Sequence, residues 1–168
     1  SGSGRTIMTT EPKFVPEQAV EISPDGVSKL KVRLIDSVGY LVPGAMGADE
    51  EGTPRMVMTP WSQTELPLEQ AAEIGTKKVM EEHSSIGIVM TTDGSITDIP
   101  AGDYEQAQSR AISDMLATGK PFVILVNSEP PESAEAKNQA RRLSQQYGVG
   151  ARAVNALTMD EEQIQSIL

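Results

Sequence analysis

The feature that most constrains this chain is a regular alternation of short apolar runs and amphipathic stretches over its second half. Residues 121–126 (PFVILV) carry no polar side chain, which is typical of a central parallel strand covered on both faces. Residues 86–90 (IGIVM) and 151–154 (ARAV) predict two more strands. Strands that alternate with helices predict a parallel sheet with right-handed crossovers. The predicted fold class is therefore α/β with three layers.

The stretches between these runs have the apolar period of helices. We predict helices over residues 67–83, 103–118, 132–147 and 159–168. In the first of them, Leu68, Ala71, Ala72, Gly75 and Val79 recur at i, i+3, i+4, i+7 and i+11, on one helical face. The second and third are each followed directly by a glycine, which commonly ends a helix.

The first half of the chain contains a candidate β-hairpin between two long loops. Strands are predicted at residues 19–22 and 30–35, joined by the turn-forming residues 23–26 (SPDG). Residues 1–17 read as an extended loop, and residues 37–67 form a second long segment that is rich in glycine and proline and has no clear period. Loops of that length within a compact domain are usually functional.

Composition excludes several classes of function. The chain has 24 acidic and 14 basic residues, a net charge of −10 and no basic cluster, so we expect no nucleic-acid partner. Without cysteine there is neither a disulfide nor a thiolate metal site. Apolar runs are far shorter than the roughly 20 residues of a membrane span, and no signal peptide is visible. We expect a soluble, cytoplasmic protein that does not span a membrane.

Polar residues follow each predicted strand, where α/β proteins bind their ligands. The residues after the strand at 30–35 are Asp36-Ser37-Val38-Gly39, which matches the D-x-x-G element of P-loop nucleotide hydrolases. In that element, the aspartate associates with Mg²⁺ and the glycine lets its backbone N–H approach the γ-phosphate. An ordinary turn begun by aspartate is the alternative. The long loop at 37–67 favours the functional interpretation, since a mobile switch segment follows this element.

Thr9 and Thr10 lie in the loop ahead of the hairpin, where such hydrolases place a threonine that binds Mg²⁺ and closes over the γ-phosphate. Two surface threonines are the alternative interpretation. The chain has no G-x-x-x-x-G-K-[ST] phosphate loop. We therefore expect a P-loop-type domain that lacks the first strand, the phosphate loop and the first helix. Because that first strand lies in mid-sheet in this class, its absence leaves a strand edge open.

The residues after the other strands give candidates for base recognition. GTPases carry N-K-x-D after the strand that corresponds to 121–126, and the aspartate accepts hydrogen bonds from guanine. Here the segment begins Asn127-Ser128 and lacks both the lysine and the aspartate. Loss of that acceptor removes discrimination for guanine and favours ATP. Asn155 and Ala156 follow the last strand and complete the predicted nucleotide-binding set; a simple strand-end cap is the alternative for Asn127.

Several longer runs resemble the stage IV sporulation protein A family, ATPases of spore-coat formation related to the translation-factor GTPases. They are residues 4–16 (GRTIMTTEPKFVP), 35–40 (IDSVGY), 59–61 (TPW), 71–79 (AAEIGTKKV) and 91–100 (TTDGSITDIP). The resemblance covers nearly the whole chain. It implies that residues 1–168 are part of an ATPase domain, with 1–17 as a switch-I-like loop and 37–67 as a switch-II-like loop.

The same resemblance implies the activity and its setting. Asp36 becomes the Mg²⁺-associated aspartate, Thr10 a second metal ligand, Thr9 and Thr10 the threonines needed for hydrolysis, and ATP the substrate. The whole protein would assemble with itself on the forespore surface, in the mother-cell cytoplasm, as the base layer of the coat. Its partners would be a small membrane-associated recruiting protein and coat proteins. The alternatives are an Era-like GTPase switch and, for this chain alone, a non-catalytic interaction module.

Overall fold

The computed structural model describes the backbone at residues 2–3 and 6–7 and the whole of residues 11–168. Five longer strands are β1 (Lys13–Ile22), β2 (Leu30–Asp36), β3 (Gly87–Thr92), β4 (Phe122–Asn127) and β5 (Ala151–Val154). The α-helices are α1 (Leu68–Lys78), α2 (Glu105–Ala117), α3 (Ala134–Tyr147) and α4 (Glu161–Gln165). Among the described residues, every helix is too short or too polar to cross a bilayer.

Strands β3, β4 and β5 form a parallel sheet with β4 in the centre. Phe122 pairs with Gly87 at one end of β4, and Asn127 pairs with Thr92 at the other. On the opposite edge of β4, Ile124 pairs with Ala151. The prediction that the most apolar run forms the central parallel strand is confirmed, and so is the α/β class.

The hydrophobic core lies between one face of this sheet and the helices α2 and α3. Ile124 and Val126 of β4 and Val89 of β3 pack there against Ile112, Met115, Ala140 and Leu143. Each large side chain buried in this way stabilises the fold by about 1.5–3 kcal/mol relative to exposure. The helices approach the sheet closely at its start. A Cβ atom built on Gly87 would lie 2.7 Å from the Met115 sulfur, so glycine permits this contact.

Helix α1 confirms the predicted apolar face, since Leu68, Ala71, Ala72 and Gly75 are all buried. Pro67 precedes its first turn, where a missing backbone N–H is harmless. The helical path continues through a π-helical turn, Val79–His83. The side chain of Lys120 closes this end, because its Nζ donates to three backbone carbonyls, those of Met80, Glu81 and Ser84, each at 2.7 Å.

Helices α2 and α3 end within one residue of the prediction, and each starts two residues later than predicted. A 3₁₀ turn, Ala101–Tyr104, precedes α2, and Ser133 caps the N-terminus of α3 with its side chain. Left-handed backbone at Gly119 (φ +68°) and Gly148 (φ +69°) stops α2 and α3. The last helix is shorter than predicted: α4 spans five residues and begins with a capping box.

The predicted hairpin is confirmed, with β1 beginning at Lys13 rather than residue 19. The pairing register shifts between Val15 and Val20, which accommodates Pro16 because a proline cannot donate to a regular ladder. The first five residues of β1 therefore overlap the segment predicted as a loop at 1–17. Among the described residues the hairpin is a two-stranded sheet of its own, not joined to β3.

The segment 37–67 is irregular, as predicted, but short ladders tie it down. Asp49–Glu50 pairs with Thr53–Pro54, and Met56–Val57 pairs with Leu66–Pro67. A further two-residue ladder joins Gly2–Ser3 to Thr6–Ile7. The segment 37–67 reverses direction repeatedly, and four of its glycines adopt positive φ.

Candidate functional site

The Asp36–Gly39 element lies at the carboxyl end of β2. The Asp36 side chain is exposed, and within residues 11–168 no side chain bonds its carboxylate. Gly39 adopts φ +80°, which an L-residue rarely does. Its backbone N–H donates to the Thr76 hydroxyl of α1 at 3.0 Å. The aspartate is thus open to a ligand, while the glycine that follows it is tied to a helix.

A groove of about 680 Å³ separates β2 from β3. Residues 30–42 and 86–91 line it, and α2 contributes Ala107, Gln108 and Ala111. Its lining is mostly apolar, with Thr91 as a polar member that donates to Gln108 at 2.8 Å. Asp36 and Gly39 lie on the rim of this groove, so the predicted metal and phosphate residues border an open space between two strands.

A second polar group joins the loops after β3 and β4. The Ser128 hydroxyl is fully buried and donates to Asp93 at 2.5 Å. The other carboxylate oxygen of Asp93 accepts from the backbone N–H of Ser95 at 3.0 Å and from the Ser95 hydroxyl. Ser95 in turn accepts a hydrogen bond from the backbone N–H of Glu129 at 2.8 Å. These bonds hold the two strand ends in one rigid arrangement.

Asp93 stays ionised in this arrangement. Burial favours its neutral form, but the hydrogen bonds from Ser128 and Ser95 outweigh burial and hold the pKa of Asp93 below its usual value. The Asp93 carboxylate accepts three hydrogen bonds from groups of the protein itself. Asp93 therefore acts here as an organiser of the loops rather than as an open ligand.

The residues after β4 and β5 brace each other in the same way. Asn127 accepts from the backbone N–H of Ala156 at 2.9 Å through its side-chain oxygen. The backbone N–H of Ser128 donates to Val154 at 2.8 Å, and Asn155 accepts from the N–H of Leu157 at 3.1 Å. The four residues predicted to contact the nucleotide therefore lie together, and Asn127 also serves as the strand-end cap weighed as its alternative.

The predicted residues thus fall into three groups. Asp36 and Gly39 border the groove; Asn127, Ser128, Asn155 and Ala156 lie at the ends of β4 and β5. Thr9 and Thr10 lie outside the described residues. No set of three acidic or histidine side chains converges as a metal site in the part of the chain that the structure describes. An Mg²⁺ ion at Asp36 would therefore be completed by other oxygens, such as water and phosphate.

Sequence reasoning missed three residues that shape this region. Thr76 binds Gly39 from α1, Asp93 organises the loops, and Tyr40 reaches α2 through Asp114. Asp93 carried a visible signal, since it lies three residues after the predicted strand 86–90. Thr76 and Tyr40 carried none, because their partners lie 37 and 74 residues away along the chain.

Comparison with known proteins identifies the family of this chain. The family model described as "Stage IV sporulation protein A, ATPase domain" matches residues 1–168. Proteins named stage IV sporulation protein A from Bacillus anthracis and Bacillus subtilis (strain 168) are each 45% identical over all 168 residues. The protein of that name from Clostridioides difficile (strain 630) is 46% identical over the same length.

The match covers the whole of this chain but only 34% of each of these relatives, so the chain spans about a third of their length. No solved structure gives a significant match. The family is that of a sporulation protein with an ATPase domain, and the resemblance noted in residues 4–16, 35–40 and 91–100 is confirmed. On the full-length match and this level of identity, the chain belongs to the stage IV sporulation protein A family.

Proposed function

We propose that residues 1–168 are part of an ATP-hydrolysing domain whose nucleotide lies across the carboxyl ends of β2 to β5. The observation that carries this proposal is the position of Asp36. Its carboxylate is exposed on the rim of the groove between β2 and β3, unbonded by any side chain of residues 11–168. A carboxylate at the end of a strand, beside a space that a phosphate-binding loop could enter, is what Mg²⁺-dependent phosphoryl transfer requires.

The groove has the properties of an empty strand position. Within residues 11–168, β2 pairs only with β1 and β3 only with β4, so one edge of each faces the groove. Apolar side chains line it, as expected of a site inside a sheet. A strand supplied by the whole protein would pair with both edges and complete a continuous, mostly parallel sheet of the P-loop type. A phosphate loop at its carboxyl end would then lie beside Asp36.

One face of the hairpin supports the same completion. The cross-strand pairs Val15–Leu34, Val20–Val32 and Ile22–Leu30 place six apolar side chains on one face. Four of the six are about half exposed, with values of 48–52%. An uncovered face of this kind costs solubility, and a packed helix would bury it. The helix that follows a phosphate loop would cover this face and add the third layer of the predicted three-layer fold.

Residues of this chain would then have separate roles in hydrolysis. Asp36 and Thr10 would hold Mg²⁺, and Thr9 and Thr10 would close over the terminal phosphate, as the family resemblance implies. Gly39 would exchange the bond from its backbone N–H to Thr76 for one to that phosphate. When bound, Mg²⁺ would neutralise charge on the phosphate oxygens. Because no lysine of a phosphate loop is present, these 168 residues alone would lack the main electrostatic clamp of this chemistry.

The base position favours adenine over guanine. Ser128 stands where GTPases carry a lysine that packs on the base, and its hydroxyl is fully buried against Asp93. Asn127 bonds the N–H of Ala156, beside Asn155, so this corner is rigid before a nucleotide arrives. Without the guanine-binding aspartate, this rigid corner offers no acceptor for the N1 and N2 donors of guanine.

In the whole protein, ATP turnover would drive self-assembly on the forespore surface, in the mother-cell cytoplasm. The assembly would form the base layer of the coat, recruited by a small membrane-associated protein and joined by coat proteins. The family membership supports a role in sporulation. The assembly, its location and its partners rest on the family resemblance.

The test is Asp36→Ala in the intact protein. We expect Mg²⁺-dependent ATP turnover to fall to background while the fold, read by circular dichroism, is kept. Glu135→Ala removes an exposed carboxylate from α3 and serves as the control. Turnover that Asp36→Ala leaves unchanged would refute the metal assignment.

A second measurement compares ATP with GTP in the unchanged intact protein. We expect kcat/KM to be higher for ATP by about tenfold or more, because the N1–H and N2 donors of guanine would lose water without gaining an acceptor. A preference for GTP would instead support the Era-like switch.

A further inference from the structure

Five side chains from three parts of the fold form a polar cluster beside the Asp36–Gly39 element. We name it the Tyr40 cluster; its members are Tyr40, Glu73 and Lys77 of α1, and Arg110 and Asp114 of α2. Among the described residues, none of these side chains forms a hydrogen bond or an ion pair with the loops after β4 or β5. The proposed function leaves the cluster without a role.

The helical period brings its four charges together. Glu73 and Lys77 are four residues apart on α1, and Arg110 and Asp114 are four apart on α2, so each pair shares a helix face. The acidic residue comes first on α1, and the basic residue comes first on α2. Arg110 therefore pairs with Glu73, and Lys77 lies 3.4 Å from Asp114. Two ion pairs thus cross from α1 to α2.

Tyr40 contacts one residue of each ion pair. Its hydroxyl donates to the Asp114 carboxylate, and the Arg110 guanidinium lies over its ring, 5.1 Å from the ring centre. Hydrogen bonds to an ionised acceptor are stronger than neutral ones, and a cation over an aromatic face adds to the attachment. Burial, followed by the bond to Asp114, raises the pKa of the Tyr40 phenol above its usual value. Tyr40 is therefore a neutral, firmly held donor.

The neighbouring residue is anchored to the same helix. The Gly39 N–H donates to the Thr76 hydroxyl at 3.0 Å, and Thr76 is only 3% exposed. Asp36 is fixed at the other end of the element by the ladder of β2, where it pairs with Lys13. The element is therefore attached at both ends. In the proposed function the bond from Gly39 to Thr76 is exchanged for one to phosphate, and the attachment through Tyr40 remains.

We propose that Tyr40, held by Asp114, is a positioning residue that sets the placement of the Asp36–Gly39 element for ATP hydrolysis. This inference rests on the proposed function. Tyr40 itself would touch neither metal nor phosphate; it acts through the backbone that it anchors. Misplacement of a reacting group by about 1 Å can cost on the order of 100-fold in rate even when binding is intact. Loss of the anchor should therefore reduce kcat far more than it changes the KM for ATP.

The test uses Tyr40→Phe in the intact protein, which keeps the ring and removes the hydroxyl. We expect kcat for Mg-ATP to fall about 10- to 100-fold, with KM within about threefold of the unchanged protein. Asp114→Ala removes the acceptor and should lower kcat to a similar extent. The double variant should be no worse than the more damaging single one, because both changes break the same bond. Tyr147→Phe, at the end of α3, should hydrolyse ATP normally.

The outcomes separate this inference from the proposed function. Absence of ATP turnover in the unchanged intact protein would overturn both. Turnover that Asp36→Ala abolishes, but that Tyr40→Phe and Asp114→Ala leave intact or accelerate, would overturn the inference alone. Losses that multiply in the double variant, or that fall on KM only, would also overturn it. Asp114→Asn keeps the oxygen acceptor and the shape, so it should retain more activity than Asp114→Ala if the bond to Tyr40 is what matters.

Discussion

Gly94 tests whether the rigid loop after β3 is essential to the fold. Its backbone is left-handed, with φ +85°, and a Cβ atom there would lie 2.9 Å from the backbone nitrogen of Ala101. Left-handed backbone costs an L-residue about 1–2 kcal/mol. Relief of the contact requires a backbone shift that costs about 1–3 kcal/mol. We therefore expect Gly94→Ala to lower the free energy of unfolding by about 2–5 kcal/mol.

The assay is native-state hydrogen exchange of the intact protein, read at the amides of β3 and β4. A loss of about 2 kcal/mol or more should accelerate the slowest of these amides about 30-fold or more. Gly102→Ala is the matched control, since a Cβ atom added at Gly102 would meet no atom within 4 Å and the φ of this residue is not positive. It should leave exchange unchanged or slow it slightly. Equal exchange rates in the two variants would refute the steric argument.

Three further predictions concern single polar groups. Lys120→Met should destabilise the turn after α1 by about 1–3 kcal/mol, because three charge-assisted hydrogen bonds are lost; exchange at residues 79–84 reports it, with Lys137→Met as control. Hydrogen bonds from the Ser28 hydroxyl and from the N–H groups of Val27 and Ser28 hold the pKa of Asp25 at about 2. The contribution of Asp25 to the hairpin turn should therefore persist above pH 4 and vanish as pH falls through 2, which a carbon-detected NMR titration would follow. Ser128→Ala should raise the pKa of Asp93 in the same titration, since a hydroxyl donor is removed; an unchanged pKa would show that Ser95 alone holds it low.

Much of the secondary structure could be predicted because it depends on local pattern. The apolar run at 121–126 could be little other than a buried strand, and the period of Leu68, Ala71 and Ala72 requires one helix face. Both predictions are confirmed, and element ends differ by a few residues. Capping geometry and pairing set these ends, and both depend on neighbours that a local pattern does not contain.

The site was partly predictable for a related reason. Asp36, Asn127 and Asn155 directly follow predicted strands, and parallel strands bring their carboxyl ends to one edge. The sequence therefore indicated which residues would gather there. It gave no sign that Asp93 would be the occupied carboxylate and Asp36 the open one. That difference comes from the Ser128 hydroxyl, which reaches Asp93 across 35 positions of the chain.

By itself, the sequence determined that this chain builds an α/β domain with a central apolar strand, a hairpin and polar strand ends, since these follow from periodicity and turn chemistry over short distances. Only the tertiary structure decided that the hairpin and the parallel sheet stand apart around a groove. It also decided that Tyr40 is fastened to α2 by contacts spanning 74 positions. Contacts between distant segments depend on how whole elements pack, and packing is a property of the folded chain rather than of any window within it.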